Sequence, residues 1–246
     1  MKNIVRAISF VILSAVLLLG CSALPLNKQP EALYNDGEAS FKKGNYEDAI
    51  TLWKKVKESY QSPELSAKAE IGIADAYFMN KDYIEAAAAY EDFRKLHPVH
   101  DRAAYALYRQ GLSYYKEING IDTDQTPIKN ALSSLGLYLS QYPHGENVAE
   151  VTEKARDCRD KQAQYEIYVG TFYLRTGNYN AAIGRFETAL KTFPDSERRD
   201  EMLYKLGRAY RKDGRKAKGD EALEQLVREF PASKYVEDAK QMIGKK

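Results

Sequence analysis

One stretch decides the fold, YEIYVGTFYLRTGNYNAAIGRFETALKTFPDS (residues 165–196). It holds two small residues, Gly170 and Ala182, twelve positions apart, and Phe186 and Pro194 follow Ala182 by four and twelve positions. Small residues at fixed positions let two helices approach closely, and a large side chain fills the space between them. Proline cannot continue a helix interior, so it ends the second helix or opens the next connection. The stretch therefore predicts a pair of packed helices.

The same spacing recurs along the chain. Five copies are present, and the proline stands twelve residues after the second small residue in four of them. The copies, each given as two small residues, a large residue and a proline, are Gly37, Ala49, Trp53 and Pro63; Ala74, Ala86, Tyr90 and Pro98; Gly111, Ala131, Leu135 and Pro143; Gly170, Ala182, Phe186 and Pro194; and Gly207, Gly219, Leu223 and Pro231. This pattern resembles the tetratricopeptide repeat, a 34-residue helix–turn–helix unit. We expect an all-α solenoid of about five repeats that bury their apolar faces on one another.

Turn residues and the lack of a competing pattern support this prediction. Gly44, Gly177 and the run Asn80-Lys81-Asp82 stand where helices of a repeat must be joined. No alternation typical of a β-strand competes with the helical spacing.

Two departures from the repeat predict how the array divides. The third copy carries eight extra residues between its helices, within INGIDTDQTP (118–127). From about Glu146 to Arg175 the sequence predicts one long helix, which joins a connector to the first helix of the fourth repeat. We therefore expect an N-terminal half with repeats one to three over 31–145 and a C-terminal half over 146–246.

The N-terminus predicts export and lipidation. Residues 1–20 open with two basic side chains, and Ala7–Leu19 then carry no charge. Such a run is too short for a bilayer core, which needs about twenty apolar residues, and it matches a secretory signal peptide. The segment ends in LLGC, which resembles the bacterial lipobox, a signal that is cleaved between Gly20 and Cys21 and directs acylation of the cysteine. We expect 21–30 to be a lipidated tether; the alternative is an ordinary signal peptide with an incidental cysteine.

Composition and motifs narrow the class of function. Cleavage after residue 20 removes Lys2 and Arg6, which leaves 35 basic and 35 acidic residues. Nucleic-acid-binding proteins usually carry a basic stripe, and none is visible, so we expect no nucleic-acid partner. There is no phosphate loop, metal-ligand spacing or nucleophile elbow, so we expect neither an enzyme nor a cofactor. Asp122 and Asp124 mimic a calcium loop, but its glycine is missing and Ser133 replaces the bidentate glutamate.

Several stretches together carry a resemblance to a known family. They are the lipobox, HPVHDRAAYALYRQGLSYY (97–115), IDTDQT (121–126) and the opening stretch at 165–196. Over essentially the whole mature chain, the sequence resembles the outer membrane protein assembly factor family called BamD, ComL or YfiO. The resemblance implies a lipoprotein of the β-barrel assembly (BAM) complex, held by Cys21 at the periplasmic face of the outer membrane.

The resemblance also implies partners. They are the periplasmic domains of the BamA-like barrel subunit, unfolded outer-membrane proteins and other assembly lipoproteins. The expected role is to bind unfolded barrel substrates and to dock on the barrel subunit, so that substrates fold and insert. The alternative is a repeat lipoprotein that recruits peptidoglycan or cell-division enzymes.

The N-terminal half supplies a candidate groove for a substrate peptide. The first helix of each repeat lines the concave face of such a solenoid, and its groove positions here are unusually apolar and aromatic. Exposed apolar patches often mark interaction sites, so an extended peptide that ends in an aromatic residue is the expected ligand. The alternative is that the rings pack between helices. The candidate residues are Tyr34, Phe41, Ile71, Asp75, Phe78, Tyr108, Leu112 and Tyr115.

The C-terminal half supplies a candidate docking residue, Arg185. The resemblance places an arginine at this point in the contact with the barrel subunit, and an arginine pairs bidentately with a carboxylate. Tyr179 and Phe186 are expected to flank it and to provide apolar area. The alternative is an ordinary surface arginine with a buried alkyl stem.

Overall fold

The computed structural model describes residues 29–59 and 62–244, and all regular structure in these ranges is helical. The helices are α1 (Pro30–Lys42), α2 (Tyr46–Glu58), α3 (Pro63–Met79), α4 (Tyr83–Leu96), α5 (Ala103–Lys116), α6 (Thr126–Gln141), α7 (Val148–Arg175), α8 (Tyr179–Thr192), α9 (Arg199–Lys212), α10 (Lys216–Glu229) and α11 (Val236–Gly244). The all-α prediction is confirmed. The predicted signal peptide, Gly20, Cys21 and nearly all of the tether lie outside the described residues.

The spacing of small and large residues marks the contact between the two helices of a repeat. A Cβ atom added to Gly170 would stand 2.6 Å from Cε1 of Phe186, and one added to Gly37 would stand 2.5 Å from Nε1 of Trp53. At these two positions only a glycine leaves room for the large residue, which explains why the spacing marks the contact between the helices. The corresponding pairs in the third and fifth repeats are Gly111 with Leu135 and Gly207 with Leu223.

The turns lie at the residues predicted from the sequence, and each contains one residue in the left-handed conformation: Gly44, Lys81 and Gly177. Gly177 joins α7 to α8 with φ of 80°, a conformation that glycine adopts without a steric cost. In the second repeat Lys81 takes this place with φ of 69°. The left-handed conformation is sterically unfavourable for lysine, because its Cβ atom crowds the backbone, and it is not unfavourable for glycine.

The described residues form two compact units, one through Ala69 and one from Glu70 onward. In the first unit α1 packs on α2, and Trp53 between them is 1% exposed. In the second unit each helix from α4 to α10 contacts the helix that follows it. The division into halves at 145 and 146 remains a prediction.

The long helix and the insertion lie where the sequence predicted them. The insertion separates α5, which ends at Lys116, from α6, which begins at Thr126. Helix α7 runs for 28 residues from Val148 to Arg175 and contacts both α6 and α8. Buried residues of α5, α6 and α7 form one cluster, so the core itself holds α5 against α7: Leu107, Ile128, Ala131, Leu135, Tyr138, Val151, Ala155 and Cys158.

Candidate functional site

Asp75 is the centre of a hydrogen-bond network in the second unit. Its Oδ1 accepts from the hydroxyl of Tyr90 at 2.5 Å and from the hydroxyl of Tyr105 at 2.8 Å. Its Oδ2 lies 3.5 Å from Nη2 of Arg102. One carboxylate therefore joins α3, α4 and α5.

The two tyrosines of this network stay protonated at neutral pH. Burial, with the charge of Asp75 as the next cause, raises the pKa of Tyr105 to about 12. The same two causes raise the pKa of Tyr90 further. Both hydroxyls therefore act as hydrogen-bond donors to Asp75 over the whole physiological range.

Arg109 on α5 lies beside this network and on a predicted groove residue. Its guanidinium carbon is 3.7 Å from the centroid of the Phe78 ring, a cation–π contact. Its Nε donates a 3.1 Å hydrogen bond to the Tyr90 hydroxyl. Asp75 and Phe78, which were predicted from the sequence, are therefore brought together with two arginines that the sequence reasoning missed.

Two further predicted groove residues on α5 contact the long helix. The hydroxyl of Tyr108 donates to Glu150 at 2.7 Å, and that of Tyr115 donates to Asp157 at 2.7 Å. Burial raises the pKa of both tyrosines, and the hydrogen bond to the carboxylate adds to the shift. Both rings stay half-buried, so they present part of their surface to solvent while their hydroxyls join α5 to α7.

Tyr34 and Phe41 belong to the first unit. Both rings are half-buried and lie against Trp53, with centroid separations of 6.2 Å and 5.8 Å. Phe41 also makes an edge contact with Tyr46. The two predicted groove residues thus form a partly exposed aromatic cluster around a buried tryptophan.

Three predicted site residues need correction because they are buried. Ile71 and Leu112 are each 7% exposed, so a ligand in the groove cannot reach them without opening the helices. Phe186 is fully buried, since its ring fills the space above Gly170. The repeat spacing itself predicts that Phe186 packs between two helices. Phe186 therefore cannot provide apolar area for docking.

Arg185 is half-exposed and has one carboxylate partner. Its Nη1 lies 3.1 Å from Oε2 and 3.3 Å from Oε1 of Glu166 on α7, and its side chain is 42% exposed. Tyr179, at the start of α8, is also half-buried. The arginine therefore retains an exposed edge while Glu166 holds it in place.

A cavity of about 560 Å³ joins Arg185 to the third-repeat insertion. Its lining includes Thr123, Asp124 and Gln125 of the insertion, Glu166 of α7 and Arg185. No sequence pattern predicts that the insertion and Arg185 lie close together. About sixty residues separate them along the chain, and the packing of α7 brings them to one cavity.

The insertion is held in part by its own side chains. Oδ1 of Asp124 accepts from the backbone N–H of Thr126 at 2.9 Å and from its hydroxyl at 2.8 Å. The backbone hydrogen bond and then the hydroxyl bond hold the pKa of Asp124 below its usual range. Asp124 therefore satisfies donors at the start of α6, a structural role for a residue that mimics a calcium ligand in sequence.

Metal-ligating groups, membrane-spanning helices or a reactive cysteine would each indicate another kind of site. No group of metal-ligating side chains and no helix long and apolar enough to span a bilayer occurs in 29–59 and 62–244. Cys158 is fully buried, and burial, with the nearby charge of Asp157, raises the pKa of its thiol to about 12. This cysteine is therefore a core residue.

The sequence profile of the YfiO family, described as outer membrane lipoprotein, matches residues 26–223. The chain belongs to this family. This YfiO-family chain is 27% identical over 242 residues to the outer membrane protein assembly factor BamD of Caulobacter vibrioides. The match covers 95% of this chain and 79% of that protein. The BamD of Rickettsia prowazekii is 26% identical over 245 residues and covers 98% of each chain.

Solved structures similar to this YfiO-family chain include a tetratricopeptide-repeat protein. The P58(IPK) TPR domain is 16% identical, with a TM-score of 0.45, and the match covers 87% of this chain and 55% of that one.

Proposed function

We propose that the chain is an outer membrane protein assembly factor, a lipoprotein subunit of the complex that folds and inserts β-barrel proteins. The observation that carries the proposal is the YfiO profile match, which covers nearly all the repeats rather than one of them. Relatives over almost the whole length are named assembly factors, which supports the same role. A tetratricopeptide fold alone would not support it, because such repeats serve many unrelated functions.

The proposed role is to bind and not to catalyse. The acidic residues Asp75, Glu150 and Asp157 are engaged by tyrosine hydroxyls, and none of them lies in a nucleophile–base arrangement. Half-buried rings with engaged hydroxyls present apolar area without a free reactive group. This suits an unfolded barrel segment, whose alternate side chains are apolar.

Arg185 is proposed to dock on the barrel subunit. Glu166 restricts the rotamers of its guanidinium, and the exposed part of the side chain is available to a carboxylate of a partner. The neighbouring cavity has both charged and hydroxyl-bearing walls, which supports a polar interface at this point. The proposed surface therefore includes Arg185, Tyr179 and the insertion residues Thr123 to Gln125.

The proposed location is the periplasmic face of the outer membrane, with the chain anchored through Cys21. A lipobox-like segment precedes the folded repeats, and the family is described as an outer membrane lipoprotein. Two or more acyl chains anchor a protein far more firmly than one. The described helices then face the periplasm from a short tether.

Affinity purification from detergent-solubilised membranes tests the proposed function. We expect the tagged chain to recover a large outer-membrane barrel protein with repeated periplasmic domains. Recovery of peptidoglycan or cell-division enzymes in its place would support the alternative scaffold and overturn the proposal.

The docking residue is tested by the same purification with Arg185→Glu. We expect this chain to recover at least tenfold less barrel subunit, because a like charge replaces half of a charge-assisted pair. Arg228→Glu is the matched control, since Arg228 is 71% exposed and its only close carboxylate in the described residues is Glu229 at 3.9 Å. The helical circular dichroism spectrum must stay unchanged in both variants. Equal recovery by the two variants would contradict the assignment of Arg185.

A further inference from the structure

The long helix α7 exposes two aromatic rings near its C-terminal end. The side chain of Tyr168 is 51% exposed and that of Phe172 is 58% exposed. Tyr168, Phe172 and Arg175 stand at positions i, i+4 and i+7 of the helix, so their side chains share one face. The exposed rings and a cation therefore form one stripe along α7.

A second stripe, of basic residues, follows helix α9. Lys205, Arg208 and Lys212 are spaced three and four residues apart, so they also share one face of their helix. Tyr168 of α7 and Lys205 of α9 line the same cavity of about 260 Å³, which places the two stripes side by side. We call this surface the α7–α9 face, and it consists of Tyr168, Phe172, Arg175, Lys205, Arg208 and Lys212.

Most of the positive charge on the α7–α9 face has no carboxylate partner. Among the residues that the structure describes, Arg175, Arg208 and Lys212 form no ion pair. Lys205 is the exception, because its Nζ lies 3.4 Å from Oε1 of Glu201. The face therefore carries a net positive charge, whereas the charged side chains of the expected mature chain sum to zero.

The helix dipole explains only a part of this surface. Cations in the last turn of a helix interact favourably with its dipole, and this accounts for Arg175 and Lys212. Tyr168 and Phe172 gain nothing from the dipole, and their exposed rings keep apolar area in contact with water. A ligand with both anionic and apolar groups would cover the rings and neutralise the cations together.

We infer that the α7–α9 face binds the surface of a bilayer that contains acidic phospholipids. Basic side chains attract the phosphate headgroups, and aromatic side chains insert at the boundary between headgroups and acyl chains. The inference rests on the proposed anchoring of the chain through Cys21. That anchor favours a bilayer over an acidic segment of a partner protein, because it holds the lipid surface at a high local concentration. The anchor fixes one end of a tether, and the α7–α9 face then orients the C-terminal repeats on the membrane.

Vesicle sedimentation tests the inference without the lipid anchor. The mature chain is made with Cys21→Ser, so that no acyl chain binds the bilayer by itself. The probes are vesicles of phosphatidylcholine alone and vesicles that also contain about 30 mol% phosphatidylglycerol. We expect about tenfold or stronger binding to the acidic vesicles at low salt, because each basic side chain near a charged surface contributes roughly a factor of five. Added salt should reduce this difference, since it screens the attraction.

A pair of double variants assigns the binding to the α7–α9 face. Arg208→Gln combined with Lys212→Gln should lower the affinity for acidic vesicles by about tenfold or more. Lys191→Gln combined with Lys234→Gln is the matched control, which removes the same charge. Both lysines are exposed, and Lys191 lies in the last turn of α8 while Lys234 lies beyond the end of α10. They are therefore about a helix length away from the turns that follow α7 and α9.

The aromatic contribution has its own variant. Phe172→Ser should lower the affinity for acidic vesicles at both low and high salt, because burial of apolar area is not screened. The helical circular dichroism spectrum should be the same in all variants. An affinity that Phe172→Ser leaves unchanged would contradict insertion of the ring.

Three results would overturn the inference. Equal losses in the two double variants would show that net charge, and not this face, determines binding. Failure of the unaltered chain to bind acidic vesicles would remove the lipid contact and leave the proposed assembly role intact, since affinity purification tests that role separately. If the chain fails to bind vesicles and the variant with Arg208→Gln and Lys212→Gln also loses a co-purified protein, the face binds an acidic protein segment instead.

Discussion

The hydroxyl of Tyr105 donates a 2.8 Å hydrogen bond to Oδ1 of Asp75, thirty positions earlier in the chain. Because the same oxygen also accepts from Tyr90, the pair is part of a junction of three successive helices. The junction places two arginines beside an aromatic face. The contribution of this junction to the free energy of unfolding, and the pH dependence of that contribution, can both be measured.

Asp75→Ala should lower the free energy of unfolding by about 1–3 kcal/mol, because the hydroxyl of the buried Tyr90 loses its acceptor. Asp75→Asn should cost less, since its amide oxygen can still accept a hydrogen bond. Urea unfolding followed by circular dichroism measures both. Asp101→Ala is the control, because that side chain is 86% exposed, and it should change stability by less than about 0.5 kcal/mol. Equal midpoints for Asp75→Ala and Asp101→Ala would show that the junction does not stabilise the fold.

Tyr105 should make stability fall at alkaline pH. Burial and the charge of Asp75 raise its pKa from 10.0 to about 12. The protonated form is thus favoured by folding, and its contribution is complete below pH 10 and is lost as pH rises towards 12. The stability difference between the unaltered chain and Tyr105→Phe should therefore be constant up to pH 10 and shrink above it. A difference that stays constant through pH 12 would contradict this assignment.

Gly170→Ala should destabilise the fourth repeat. The added methyl group would stand 2.6 Å from Cε1 of Phe186, and overpacking of this kind costs about 1–3 kcal/mol. Gly184→Ala on α8 is the matched control, because nothing lies within 4 Å of its Cβ position. Removal of a helical glycine there should stabilise the chain by about 0.5–1 kcal/mol. Thermal unfolding of the two variants should therefore shift in opposite directions.

The number of reactive thiols tests lipidation of Cys21. Cys158 is fully buried, and its thiol, with its pKa raised to about 12 mainly by burial, should not react with a thiol reagent at neutral pH. We expect no labelling of the folded chain and one label per chain in urea. Cys158→Ser should remove that label. Two labels in urea would show that Cys21 carries a free thiol.

The repeats could be predicted from the sequence because their signal is local. The distance from Gly170 to Phe186 is set by two helical segments of known rise and one short loop, so spacing alone encodes the contact. The long helix could also be predicted, because a long segment without helix-breaking residues indicates a helix from local sequence alone. Its observed start at Val148 differs by only two residues from the expected Glu146.

The site was harder to predict because tertiary packing determines it. Ile71 and Leu112 share the apolar character of true surface groove residues, and only the packed helices show that they are buried. Arg109 lies on the same helix as predicted groove residues and Arg102 immediately precedes that helix, but their importance depends on Asp75, which comes from α3. The meeting of the insertion with Arg185 depends in the same way on the path of α7.

Barrel assembly itself is tested most directly by depletion of the chain in growing cells. The measured quantity is the fraction of a newly made outer-membrane barrel protein that reaches its folded form, which migrates as a compact species in unheated detergent gels. We predict that this fraction falls as the chain is depleted and recovers when the unaltered chain is restored. An unchanged folded fraction, with a defect confined to the cell wall or to division, would contradict a role in barrel assembly.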